Sequence, residues 1–243
     1  MTDLTWLTAR PIAHRGYHDL NRSRWENTIS AFEAAADKGF AIECDVHLSA
    51  DGVPVVFHDA ELKRLTGQEG RVYDRTAAEL AQMKVGGTAD HVPTLAEMLA
   101  RIAGRVPLVI EMKGVEGKDD GLVAKVADCL KNYRGKAAIM SFDHWLIRRF
   151  ETEAPGIPGG LTAWKKEPAD LEAHFCMLAH GIAFTSFHVW DLPNRFVTTV
   201  RDKLRLPVIT WTVRDPKAVE LTRRYGDQMT FEGFDPDAPL PET

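Results

Sequence analysis

The chain alternates short apolar runs with longer segments whose apolar residues recur at helical spacing. The short runs predict strands buried on both faces, and the longer segments predict amphipathic helices. Eight main strands are predicted, ending near His14, Asp45, Glu111, Ser141, Leu161, Phe187, Trp211 and Phe231. Alternating strands and helices in this number are typical of an α/β protein with a closed (β/α)8 TIM barrel. An open doubly wound sheet is the alternative, but no glycine-rich nucleotide turn follows the first strand.

Helices are predicted between most of these strands. The first begins after Asn27, which is a suitable N-cap residue. The others are predicted over residues 95–102, 121–132, 145–152, 168–178, 193–204 and 216–225. A turn at residues 49–52 leads into a further short strand over residues 53–57. The polar, irregular segment 60–92 is predicted to be a small insertion after the second strand, within a single domain spanning residues 1–243.

Composition and charge narrow the class of protein. Hydrophobic residues make up 44% of the 243 residues, which suffices for one large core. The net charge of -5, without a lysine- or arginine-rich tract, argues against a nucleic-acid partner. No apolar run approaches the roughly 18 residues of a membrane-spanning helix, and residues 1–10 lack a signal-peptide pattern. Because Cys44, Cys129 and Cys176 are widely spaced, we expect free thiols in a reducing, cytoplasmic environment.

Three acidic residues lie where predicted strands end, which is the edge of an α/β barrel that binds ligands. Glu43 and Asp45 are two positions apart on one strand, so their side chains share a face, and Glu111 ends the next barrel strand. Clustered carboxylates need a shared proton or a cation to offset their repulsion. Three such oxygen ligands suit Mg²⁺ or Ca²⁺ better than zinc. Structural ion pairs with Arg15 or Lys113 are the alternative.

Two histidines, His14 and His58, each follow an apolar run. An imidazole with an ordinary pKa of about 6.5 transfers protons at neutral pH, and cleaving a phosphodiester requires one proton removed and another delivered. The pair is therefore predicted to be an acid and a base, although a single histidine so placed is more often structural. Asp59 either orients His58 or caps the following segment. Six other histidines are expected to be surface or structural residues: His18, His47, His91, His144, His174 and His180.

Arg15 and Lys113 place positive charge beside these acids. An arginine can bind two phosphate oxygens at once, whereas a lysine acts as a point charge. The alternative is that either residue is a structural counter-ion of Glu43 or Glu26. Trp211 ends the seventh strand and either lines a pocket, where its face could hold a cationic head group, or packs within the barrel top.

These motifs, taken together, resemble the glycerophosphodiester phosphodiesterase family. Each is weak alone, but their order and approximate spacing cover most of the chain. The matching pieces are His14-Arg15-Gly16, Glu26-Asn27-Thr28, Ala31-Phe32, Glu43-Cys44-Asp45, Ser49-Ala50-Asp51-Gly52, His58-Asp59, Gly70-Arg71-Val72, Pro93-Thr94-Leu95, Glu111-Met112-Lys113 and Trp211-Thr212-Val213.

The resemblance implies a (β/α)8 barrel with a small insertion after the second strand. It also implies hydrolysis of a small-molecule glycerophosphodiester to sn-glycerol 3-phosphate and an alcohol. It assigns a divalent metal to Glu43, Asp45 and Glu111, and acid–base roles to His14 and His58. Arg15 would hold the phosphate with Lys113 nearby, as expected from the charges of the two side chains.

Two segments depart from the family pattern. Residues 17–25 form a longer loop than usual between the His-Arg-Gly and Glu-Asn-Thr pieces, and the piece at residues 231–236 differs from the usual ending. Both are expected near the barrel mouth, so they bear on substrate choice more than on the reaction.

Three rival functions use the same residues. A phospholipase D-like hydrolase of lysophospholipids would be favoured by an apolar, exposed rim at the mouth. A non-catalytic barrel that binds a phospho-ligand would not need the intact pair His14 and His58. A glycosidase using Glu43 and Glu111 as its acid pair would need no metal, so a chelator would separate it from a metal-dependent phosphodiesterase.

Overall fold

The computed structural model describes residues 3–239 and forms a closed barrel. Within these residues there are nine strands: β1 (Ile12–Ala13), β2 (Ala41–Leu48), β3 (Pro54–Val56), β4 (Leu108–Met112), β5 (Ala137–Ser141), β6 (Gly159–Ala163), β7 (Phe184–His188), β8 (Val208–Val213) and β9 (Gln228–Phe231). All except β3 are parallel, and β1 pairs with both β2 and β9, which closes the barrel. The predicted (β/α)8 TIM barrel is thus confirmed.

Helices surround the barrel. In the described residues they are α1 (Thr5–Thr8), α2 (Ile29–Asp37), α3 (Lys63–Thr66), α4 (Ala77–Leu80), α5 (Leu95–Ile102), α6 (Leu122–Leu130), α7 (His144–Ile147), α8 (Phe150–Glu153), α9 (Pro168–Met177), α10 (Arg195–Thr198) and α11 (Pro216–Tyr225). Short 3₁₀ turns lie at Val72–Asp74, Leu178–His180 and Val189–Asp191, and a π-helical turn lies at Thr199–Lys203. No helix in residues 3–239 is both long enough and apolar enough to cross a membrane.

The predicted N-cap of α2 was wrong by one residue. The Thr28 side chain accepts the hydrogen bond from the backbone N–H of Ala31, which is the capping contact. Asn27 instead has a left-handed backbone with φ of 55°, and its side-chain amide donates to Asp45 at 2.8 Å. A residue predicted to start a helix therefore supports a carboxylate of the barrel interior.

Successive side chains of each barrel strand point alternately toward the helices and into the barrel interior. In β2, Ile42, Cys44 and Val46 belong to the large apolar layer between the sheet and the helices. Their neighbours on the opposite face point into the barrel, because successive side chains of a strand alternate. The lower interior is filled by apolar residues that include Ala41, Val109, Ala138, Phe184 and Ile209. On β2 and β4, charged residues (Glu43 and Glu111) occupy the next inward level, above these apolar residues. Cys44, Cys129 and Cys176, all among the described residues, are free thiols.

The insertion begins as a hairpin. β2 continues to Leu48, beyond the acidic pair, and β3 returns antiparallel with Val56 opposite Val46. The backbone N–H of Phe57 then donates to the carbonyl of Asp45 at 3.0 Å. The rest of the insertion encloses a small apolar cluster of its own, formed by Val55, Phe57, Leu62, Leu65, Val72, Leu80, Val85 and Val92. His58 follows β3, which runs antiparallel to β2 and lies outside the barrel, and it reaches the barrel mouth from there.

Candidate active site

A cavity of about 200 Å³ lies at the carboxyl ends of the barrel strands. All eight residues that the sequence singled out for chemistry line it: His14, Arg15, Glu43, Asp45, His58, Glu111, Lys113 and Trp211. Phe142, His188, Trp190, Thr212 and Arg214 complete much of its wall. These residues lie on or just after six barrel strands, except His58, which follows β3, and they meet in one place.

The three carboxylates form a buried cluster. Asp45 on β2 lies opposite Glu111 on β4, and Glu43 lies one inward position below Asp45. One carboxylate oxygen of each residue lies within 4.8 Å of the other two. Burial raises the pKa of Glu43, and the neighbouring charges of Asp45 and Glu111 raise it further. Burial likewise raises the pKa of Glu111. The three carboxylates therefore repel one another when ionised, in a site where water does not screen their charges.

Two buried cations lie against this cluster. The Lys113 ammonium donates to Glu111 and contacts Asp45 at 2.9 Å. The Arg15 guanidinium donates to Glu26 at 2.7 Å, and its Nε lies 3.3 Å from Asp45. Burial alone would raise the pKa of Asp45, but Lys113 and Arg15 hold it below its ordinary range. The structural ion pairs considered as an alternative are thus present, with Glu26 and Asp45 as the partners of Arg15.

The backbone N–H of Arg15 also binds one of the three clustered carboxylates. The φ of Arg15 is 55°, which is unusual for a residue other than glycine. In this conformation the N–H of Arg15 donates to Glu43 at 2.9 Å. The donor set of the cluster fits a hard divalent cation, because three buried carboxylate oxygens lie within 4.8 Å of one another and each carboxylate is oriented by a second group.

His14 contacts a carboxylate that sequence reasoning missed. Its Nδ1 lies 2.5 Å from Glu232 Oε2, and both side chains are nearly buried. Burial lowers the pKa of His14 to about 4, so the imidazole is neutral at neutral pH. Glu232 is the first residue after β9. Its position satisfies the same strand-end criterion that identified Glu111, which is the signal that could have revealed it.

His58 contacts its neighbour in the chain. Its Nδ1 lies 2.7 Å from Asp59 Oδ1, so Asp59 makes the orienting contact that was one of its two predicted roles. The same carboxylate accepts hydrogen bonds from Arg64, which also binds Glu26. Burial lowers the pKa of His58. This histidine is therefore part of a charged network that continues to Arg15.

Aromatic rings form one wall of the cavity. Trp211 packs edge-on against Phe142, with ring centroids 5.2 Å apart, and lies 5.1 Å from His188. Its indole N–H donates to the carbonyl of Ser186 at 3.2 Å. Trp211 therefore combines both predicted roles, since it packs within the barrel top and lines the cavity.

Two histidines that were expected to be surface or structural residues are buried beside this site. The ring of His47 contacts the carbonyl of His58 at 3.0 Å. The Nε2 of His18 lies 3.8 Å from Glu232. His47 is two residues after Asp45 and shares its face of β2, a spacing that the sequence does show. His47 thus contacts a residue that lines the cavity, and His18 lies beside the carboxylate that contacts His14.

The sequence is similar to a known protein family and to individual proteins of that family. The sequence profile of the glycerophosphoryl diester phosphodiesterase family matches residues 14–231. A glycerophosphodiester phosphodiesterase of Caldanaerobacter subterraneus is 35% identical over 160 residues, which is 62% of this chain and 65% of that protein. The Bacillus subtilis protein YhdW is 30% identical over 231 residues, which is 88% of this chain and 90% of that protein.

A solved structure is similar over nearly the whole chain. It is an Oleispira antarctica phosphodiesterase in complex with the product sn-glycerol-3-phosphate, with 27% sequence identity. The TM-score is 0.79, and the alignment covers 92% of each chain.

Proposed function

The chain belongs to the glycerophosphoryl diester phosphodiesterase family, and we propose that it hydrolyses a glycerophosphodiester to sn-glycerol 3-phosphate and an alcohol. One observation carries this proposal: a single cavity brings together the imidazoles of His14 and His58, three clustered carboxylates and the cations of Arg15 and Lys113. The similar Oleispira antarctica phosphodiesterase, which binds sn-glycerol-3-phosphate, supports the choice of product. Three free thiols support the further proposal of a reducing, cytoplasmic location.

Glu43, Asp45 and Glu111 are the proposed ligands of a divalent cation, Mg²⁺ or Ca²⁺. Their oxygens lie within 4.8 Å of one another, and a bound cation would stabilise the ionised form of Glu43, which burial disfavours. When bound, such an ion supplies charge neutralisation at the phosphodiester and a lowered pKa for a coordinated water.

The remaining chemistry is assigned to the side chains of this chain. Arg15 and Lys113 line the cavity beside the carboxylates, where their positive charges can bind phosphate oxygens. His14 and His58 divide the two proton transfers: one accepts a proton from the attacking oxygen, and the other delivers a proton to the leaving alcohol. Trp211 and Phe142 make one side of the cavity apolar, which limits the access of water to it.

The first test is direct. Purified protein is assayed for sn-glycerol 3-phosphate with a panel of glycerophosphodiesters, in Mg²⁺, in Ca²⁺ and after chelation. We expect release with at least one metal, and loss of release with chelator or in Glu43→Gln. The matched control is Glu97→Gln, because Glu97 on α5 binds His91 and neither residue lines the cavity. Absence of product from every diester in both metals would reject the function, and activity that survives chelation would reject the metal.

A second candidate, hydrolysis of lysophospholipids, is favoured by the rim of the cavity. Trp145, Trp164 and Trp190 follow β5, β6 and β7 closely, and their exposed fractions are 44%, 52% and 42%. Exposed indoles at the mouth could hold an acyl chain, since large exposed apolar side chains often mark a binding surface. We expect Trp164→Ala to raise KM for a lysophospholipid and leave KM for glycerophosphocholine unchanged. An equal change for both substrates would reject this candidate.

A further inference from the structure

We propose that Glu232 is the positioning residue of His14, holding its imidazole in the one orientation and tautomer that the reaction uses. This inference rests on the proposed function for its kinetic consequences. Nothing in the family motifs of the sequence points to Glu232, because it lies in the C-terminal piece that departs from the family pattern.

Closure of the barrel brings Glu232 into contact with His14. β9 pairs with β1 so that Phe231 lies opposite Ala13, and the N–H of His14 donates to the carbonyl of Phe231 at 3.0 Å. Glu232 and His14 are the next residues of their two strands. The rigid sheet therefore sets the distance of 2.5 Å between Glu232 Oε2 and His14 Nδ1, rather than a flexible loop.

The second carboxylate oxygen is also held. Glu232 Oε1 accepts a hydrogen bond from Arg214 Nε at 2.6 Å, and the Glu232 side chain is only 10% exposed. Both oxygens are thus occupied, and the carboxylate cannot rotate without losing a charge-assisted hydrogen bond. A fixed carboxylate gives the imidazole a fixed plane.

The charge state of the pair selects the tautomer. Burial alone would raise the pKa of Glu232, but the hydrogen bonds that it shares with His14 and accepts from Arg214 hold it well below its ordinary value. An ionised carboxylate can only accept, so the proton of a neutral His14 must lie on Nδ1. Nε2 is then the ring nitrogen available to a substrate in the cavity.

The two segments that depart from the family pattern meet at this carboxylate. His18, in the longer loop, is buried with its Nε2 3.8 Å from Glu232. Tyr17 of the same loop packs against Phe231, with ring centroids 6.1 Å apart. Leu20 and Gly233 line the same surface groove. The longer loop therefore shields the pair from water, which would otherwise compete for the hydrogen bond.

Kinetics of matched variants test the proposal. Glu232→Gln should lower kcat about 100-fold with little change in KM, because orientation matters in the transition state more than in binding. Glu232→Asp should restore part of this loss, and Glu97→Gln, which alters another histidine–glutamate pair, should behave as wild type. Equal kcat in Glu232→Gln and wild type would overturn the proposal, as would a change confined to KM.

A double-mutant cycle separates positioning from general support of the fold. Because Glu232 acts through His14, adding Glu232→Gln to His14→Ala should cost nothing further. A full additional 100-fold loss in the double variant would show a role independent of His14 and would overturn the proposal.

Nuclear magnetic resonance gives a readout that does not need activity. The ¹⁵N shifts of His14, assigned by comparison with His14→Ala, should show the Nδ1-protonated tautomer in the wild type. Glu232→Gln should shift this signal, and Glu97→Gln should leave it in place. A wild-type His14 protonated at Nε2 would reject the proposal even if the enzyme is active. The expected tautomer in a protein that cleaves no diester would instead reject only the function.

Discussion

His14 and His58, the two histidines assigned to proton transfer, are supported in different ways. His14 pairs with Glu232, which is 218 positions away in the chain, and its side chain is 11% exposed. His58 pairs with Asp59, the next residue, and its side chain is 31% exposed. We call these pairs the His14 arm (His14 and Glu232) and the His58 arm (His58 and Asp59).

The difference lies in what each carboxylate does besides binding its histidine. Glu232 is bound by Arg214 at the rim. Asp59 is bound by Arg64, which also binds Glu26, the partner of Arg15. The His58 arm is therefore connected to the proposed phosphate-binding arginine, whereas the His14 arm is built into the closure of the barrel. Neighbouring charges can therefore change the contact between His58 and Asp59, whereas the paired backbones of β1 and β9 hold His14 against Glu232.

The largest effect should come from removing either imidazole. His14→Ala and His58→Ala should each lower kcat between about 100-fold and 10,000-fold, since each removes one proton transfer. Initial rates of sn-glycerol 3-phosphate release measure this loss, with circular dichroism to show that the fold is retained. If one variant kept full activity, the two arms would not form an acid–base pair.

Acid should destabilise the protein through the His14 arm. The pKa of His14 is about 4 in the folded chain, below the ordinary 6.5, so the unfolded chain takes up this proton first as the pH falls. The free energy of unfolding should therefore decrease from pH 6.5 to about pH 4, by up to about 3 kcal/mol, and this contribution should change no further at lower pH. Urea unfolding across this range should show a weaker pH dependence in His14→Gln. An unchanged dependence in that variant would contradict the assignment.

A smaller effect is expected when the carboxylate of the His58 arm is neutralised. Asp59→Asn should lower kcat about 10-fold, at the lower end for groups that orient a functional residue. The loss should be smaller than in Glu232→Gln because the Asp59 carboxylate is divided between His58 and Arg64. Steady-state kinetics of the two variants under one set of conditions make the comparison, and the reverse order of losses would refute it.

The smallest effect should follow from Arg64→Met. Arg64 is 44% exposed and reaches His58 only through Asp59, so we expect kcat to fall by less than about fivefold. The direct contact between His58 and Asp59 remains in this variant. The His14 resonance should also stay unchanged, and its displacement would show that the two arms are coupled.

Much of the barrel could be predicted because the spacing of apolar residues along the chain distinguishes its strands from its helices. The predicted bounds of α5 and α11 agree with the structure, and all eight barrel strands were found. The helix predicted over residues 145–152 is interrupted, forming α7 and α8, and that predicted over residues 193–204 begins later, after Asn194 caps α10. Such ends depend on side-chain contacts that periodicity does not contain.

The residues of the site also fall into two groups, those predictable from local sequence and those that required the tertiary structure. Spacing placed Glu43 and Asp45 on one inward face, and the strand-end rule added Glu111, His14 and Lys113. The route of His58 was not readable, since it depends on the antiparallel register of β3 against β2. The role of Asn27 as a donor to Asp45 was also hidden behind its suitability as an N-cap.

The sequence by itself determined which residues alternate inward, which strand ends carry charge and which of them match one family. These are properties of neighbours within a few positions, where backbone geometry alone relates one side chain to the next. Only the tertiary structure decided that Glu232 meets His14, that Arg15 faces Asp45 and Glu26, and that the two unusual segments cover one carboxylate. The contact of Glu232 with His14 depends on closure of the barrel between β1 and β9, which joins residues more than 200 positions apart. The contact of Arg15 with Asp45 depends on the pairing of β1 with β2.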